Sequence, residues 1–72
     1  MAQQPDHRII SPREDGQWEN KIAGAERASS LHETQREAIH SARAMLSNQG
    51  GGQITVQGTD GRIKDRKTVA TS

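Results

Sequence analysis

The chain has no cysteine, no phenylalanine and no tyrosine, and Trp18 is its only aromatic residue among 72. Without cysteine there are no disulfide staples, thiolate metal sites or cysteine nucleophiles. Without rings there is no aromatic platform on which single-stranded bases could stack. The core must then be assembled from Ile, Leu, Val, Met and Ala around Trp18. Long apolar runs are also missing. No stretch approaches the roughly 20 residues of a membrane span, and the opening MAQQPDHR has no apolar segment of signal-peptide length. A cytoplasmic protein with no membrane contact is expected. Neither sign of charge dominates, with ten Lys and Arg against nine Asp and Glu. Such a balance argues against a chain built to grip a polyanion, unless the basic groups are segregated in space. The length allows a single domain, too small to enclose a substrate.

What is present is organised around one helical stretch, Thr34 to Gln49, which ends against Gly50-Gly51-Gly52. Thr34 followed three residues on by Glu37 is a capping box, in which the hydroxyl accepts from the Glu37 backbone N–H. At ~100° per residue, Ala38, Ala42, Met45, Leu46 and Ile39 fall within an arc of about 120°, a core-facing stripe. Gly50 and its neighbours supply the left-handed exit. The opposite face carries Arg36, His40 and Arg43, either a solvated outer face or a basic ridge for phosphate or an acidic partner.

On either side of the helix lie short strand patterns. Residues 1–6 read as a disordered lead-in and 70–72 as a frayed tail, leaving a single domain over 7–69. His7 to Pro12 forms a strand, and Asp15-Gly16 is a hairpin turn. In Gln17 to Ile22, alternation places Trp18, Asn20 and Ile22 on one face. Asn20 is the polar exception there, at a sheet margin or hydrogen-bonded locally. Arg27 to Leu31 is a short third strand bringing Ala28 and Leu31 toward the core. Gln53 to Gly58 alternates with Ile54 and Val56 inward. Asp60-Gly61 turns the chain, and Arg62 to Asp65 returns with Ile63 inward. The expected class is α+β, order β-β-(β)-α-β-β, an antiparallel sheet of hairpins packed on one helix with Trp18 at the centre of the core.

The ordered series Trp18, Arg27-Ala28-Ser29, Thr34-x-x-Glu37-Ala38, Ala42-Arg43, Asn48-x-Gly50-Gly51 and Gly58-x-Asp60-Gly61-Arg62-Ile63 resembles the small bacterial proteins of domain of unknown function 2188. The resemblance runs from His7 to about Lys67. It implies the α+β fold and no particular activity, and it implies an aliphatic residue where Asn20 stands. A shorter likeness, from Gly16 to Ala38, is similar to plant AP2-type domains and to arm-binding domains of phage integrases. Those read DNA with a three-stranded sheet. Here Glu19 lies on the face that would meet phosphate.

Chemistry-bearing constellations are sparse. Glu37-x-x-His40 is half of a di-iron motif, with one copy and one helix. No serine stands in a nucleophile elbow, and the glycine run lacks the Lys-Ser/Thr of a phosphate loop. No enzyme activity, cofactor, metal ion or small-molecule substrate is expected. Arg62, Lys64, Arg66 and Lys67 are the densest basic run. In a regular strand Arg62, Lys64 and Arg66 share a face, either charging an edge strand against aggregation or contacting phosphate. The sequence therefore reads as a small bacterial or phage-derived binding module, contacting a protein or a second copy of itself through sheet edges. The alternative is nucleic-acid binding through the basic C-terminal hairpin and the Arg36/Arg43 ridge.

Overall fold

A computed structural model describes residues 6–69. Its elements are β1 (Asp6–Pro12), β2 (Trp18–Ile22), β3 (Ser30–His32), α1 (Gln35–Asn48), β4 (Gly52–Gln57) and β5 (Ile63–Val69). The tail expected over 70–72, and the lead-in apart from Asp6, lie outside the described residues. Asp6 itself opens β1.

Both hairpin turns close by the same local chemistry. Gly16 N–H donates to the Arg13 carbonyl at 3.2 Å, and Gly61 N–H to the Gly58 carbonyl at 2.9 Å. Asp15 accepts from the Gln17 N–H at 3.0 Å and Asp60 from the Arg62 N–H at 3.1 Å. Gly16 and Gly61 hold φ of 88° and 81°, where a side chain would be strained. The helix begins as its sequence dictates, with Thr34 Oγ1 accepting from the Glu37 N–H at 3.1 Å. It ends with the Gly51 N–H donating back to the Leu46 carbonyl at 2.7 Å, while Gly50 takes a φ of 103°.

The sheet runs β3-β2-β1-β4-β5, with α1 packed on one face. The class is α+β, but the sheet is mixed, not antiparallel throughout. β1 and β4 are parallel at its centre, in register from Asp6↔Gly52 to Ile10↔Val56. The reason is topological. β1, β2 and β3 meander outward, and α1 then carries the chain back over the sheet, so β4 sets off in the same direction as β1. Parallel neighbours require such a crossover. The interior position suits β4, whose Ile54, Thr55 and Val56 are all buried.

The core consists of Ile10, Ile54, Val56 and Val69 from the sheet and Ala38, Ala42 and Leu46 from α1. Each fully buried Ile or Leu contributes about 1.5–3 kcal/mol. Trp18 is not the centre. It is half-buried and packs against the margin, because it begins β2 and sits opposite Pro12 and His32 at one end of the sheet. The position level with Ile10 belongs instead to Asn20, which is completely buried. Its Nδ2 donates to Ser30 Oγ at 3.3 Å and lies 3.4 Å from Met45 Sδ. Among the described residues, its Oδ1 meets no hydrogen-bond donor.

Two further expectations are corrected. β3 forms at Ser30–His32, later than Arg27 to Leu31, because the chain first turns, with the Ala25 N–H on the Ile22 carbonyl at 2.9 Å, and rejoins β2 where the Ser29 N–H reaches the Asn20 carbonyl at 2.7 Å. Leu31 sits opposite Glu19 on the face away from α1 and is 43% exposed. Ile63 is likewise not inward. A bulge sets Val56 opposite Asp65 but Gln57 opposite Ile63, so Lys64 is an extra residue and alternation breaks. Ile63 joins Gln57 on the open face, 51% exposed.

Candidate functional site at the β5 edge

The outer side of α1 and the edge of the sheet beside it bring charged residues of two elements together. Ser41 Oγ lies 3.5 Å from Ser30 Oγ of β3, and Met45 touches Asn20 of β2. Helical periodicity then turns the opposite flank, with Ile39 and Arg43, toward β4 and β5. A depression of about 800 Å³, open to solvent, runs over α1, and Arg36, Arg43 and Lys67 line it together with Ile39. His40 lines it from the outer face of the helix, and His32, Glu37 and Ser41 lie toward β3. Four of the residues singled out by the sequence, Arg36, His40, Arg43 and Lys67, are thus brought to one place.

The other three are not. Arg66 sits opposite Thr55, on the sheet face turned away from α1. Lys64 occupies the bulge, and its stem lies over Gly58 so closely that a Cβ there would collide with it. Arg62 stands in the second turn, its N–H held by Asp60. The common face expected for Arg62, Lys64 and Arg66 fails for the reason that turned Ile63 outward. Cations therefore flank β5 on both sides, Lys67 on the helix side and Arg66 on the open side.

Lys67 is partly neutralised by Asp65, with Nζ 3.2 Å from Oδ2. The Lys67 hydrogen bond, a second from the Arg66 N–H and the Lys67 charge hold the Asp65 carboxyl below its ordinary 3.8. This pairing escaped the sequence reading, although residues two apart on a strand share a face and the spacing was its signal. Arg8 was missed too. It is 3% exposed on the helix side of β1, where alternation with Ile10 would place it, and Nη1 donates to Ser29 Oγ at 2.7 Å.

Ser30 Oγ lies 2.8 Å from His32 Nε2, the geometry of a nucleophile and its base. Ser30 also accepts from Asn20 and touches Ser41, so its hydroxyl ties β2, β3 and α1 together. Glu37 and His40 find no third ligand: among the described residues, no group of three or more His, Cys, Asp or Glu could hold a metal ion. No described helix is long and apolar enough to cross a membrane.

Fold and site together define a small two-layer α+β module with one sheet face covered and one long, basic sheet edge. The family model for uncharacterized proteins conserved in bacteria, DUF2188, matches residues 7–69, and the chain belongs to that family. No curated protein and no solved structure matches it.

Proposed function

We propose that this chain is a non-enzymatic binding module of the cytoplasm that works through protein–protein contact, with the outer edge of β5 as its contact. One observation carries the reading. β5 is seven residues long, and among the described residues nothing pairs with its outer side. Apart from the Arg66 N–H, which the Asp65 carboxylate already holds at 2.8 Å, an edge of that length offers backbone donors and acceptors to an incoming strand. Nucleic-acid binding would need the basic hairpin and the Arg36/Arg43 ridge to face one way, whereas Arg66 and Lys67 lie on opposite faces of the sheet.

The test is a parallel titration of the wild type and an Arg66→Glu/Lys67→Glu variant against mixed-sequence duplex DNA, with light scattering for self-association and pull-down for protein partners. Only weak DNA binding is expected, alongside a protein complex that the variant loses. Four phosphate contacts would cost over about a hundredfold in affinity between about 50 and 200 mM salt. Submicromolar DNA binding with that slope, abolished by the charge reversal, would overturn the reading.

A further inference from the structure

We propose that the β5 edge accepts an acidic, extended protein segment as a sixth strand. This rests on the reading of β5 as the contact and adds the chemistry of the partner. Ile63 to Val69 carries three cations, Lys64, Arg66 and Lys67, against the single carboxylate of Asp65. Arg36 and Arg43 add two more beside Lys67 in the helix-side depression. An added strand turns its side chains alternately to the two faces of the sheet. Those on the helix side would meet Lys67, with Arg43 and Arg36 beyond it, and those on the open side would meet Arg66. Cations on both faces therefore select an acidic run, whose successive residues are all served.

A second copy of this chain is disfavoured at the same place, because each β5 has three cations against one carboxylate and pairing β5 with β5 brings two net positive strands together. A DNA duplex could meet cations on both faces only by taking the edge into a groove, and it is titrated as the alternative. The Asp65–Lys67 pair is exposed on both sides, with side-chain accessibilities of 54% and 35%. An incoming carboxylate can therefore take the place of Asp65 on Lys67.

The experiment titrates the isotope-labelled full chain with a synthetic peptide of about eight residues, a central run of consecutive Glu and Asp flanked by Val and Thr, matching the length of the edge. Its isostere with Gln and Asn, and a mixed-sequence DNA duplex, are titrated alongside. The acidic peptide is expected to shift the amides of 63–69 and to bind about tenfold tighter than the neutral one at low salt, a preference that shrinks at high salt. Asp65→Asn should strengthen acidic binding by about threefold, and Arg66→Gln/Lys67→Gln should erase the charge preference. Both variants change exposed or half-exposed side chains, and the dispersion of their amide spectra checks that they fold. If the neutral peptide shifts 63–69 as strongly as the acidic one, the acidic partner is refuted while the edge reading stands. If no peptide shifts 63–69 and DNA binds, both are refuted. Acidic binding that shifts only 36–43 refutes strand addition.

Discussion

The two edges of the sheet are built in opposite ways. β3 is three residues long, its strand ends at once in the helix cap, and its Ser30 is tied inward to Asn20 and Ser41. Such an edge offers too short a ladder for another chain to extend. β5 is more than twice as long, and its outer side is guarded by side-chain charge, by the bulge at Lys64 and by Asp65, whose carboxylate accepts from the Arg66 N–H. Shortness deters every strand alike, but charge deters selectively: it repels a basic or identical strand and favours an acidic one. On the reading proposed above, the fold blocks association at one edge and selects its partner at the other.

Substitution can break the comparison most forcefully at the strand on which β5 rests. Ile54 is completely buried on β4, and Ile54→Ala should cost about 2–5 kcal/mol, enough at this size to unfold the chain or nearly so. Leu31→Ala on β3 should change stability by about 0.5 kcal/mol, since the side chain is 43% exposed on the face away from α1. Urea melts of the two variants measure the contrast, and equal losses would mean that β3 is no mere margin.

Next in size is Asn20, which ties the short edge to the core. Removing a buried amide whose oxygen meets no donor among the described residues should help, and Asn20→Leu is expected to stabilise the chain by about 1 kcal/mol. A loss of that size would show that the amide is fully satisfied. Thr34→Ala, at the junction of β3 and α1, should cost about 1 kcal/mol by removing the cap, read from the shift of the urea midpoint. An unchanged midpoint would leave the cap without energetic weight.

The smallest effect belongs to the long edge itself. The Asp65 carboxyl is held below 3.8 by Lys67, so its contribution to stability is present above that pH and is lost as pH falls below it. A carbon-detected NMR titration should place its midpoint below 3.8 and return it toward that value in Lys67→Gln. A wild-type midpoint at or above 3.8 would show that the pair does not form in solution.

The parts of this fold that were legible in the sequence are those decided by neighbours along the chain. Both Asp-Gly turns, the Thr34 cap, the glycine exit and the helix stripe are local chemistry, and each stands where its residues place it. What depended on strand order was not legible. No local signal tells that β4 lies beside β1 and parallel to it, nor does the alternation that put Trp18 and Asn20 on one face tell that Asn20 stands level with Ile10 while Trp18 stands at the end of the sheet. The bulge at Lys64 left no mark either, because one inserted residue in a polar strand disturbs no apolar pattern. The candidate site divides in the same way. Arg36, His40 and Arg43 were visible as one ridge through helical periodicity. Lys67 joined them only when the sheet placed β5 along that flank of α1, and Arg66 left the group only when the register turned it to the other face.

The claim on which the account depends most is that the long edge is the docking edge, and amide hydrogen exchange tests it directly. Exchange is followed residue by residue in the chain alone and with saturating acidic strand-forming peptide. The account predicts that outward-facing amides within 63–69 slow markedly on binding while those of 30–32 keep their rates. Slowing confined to β3 or to α1, or shared equally by both edges, would contradict it.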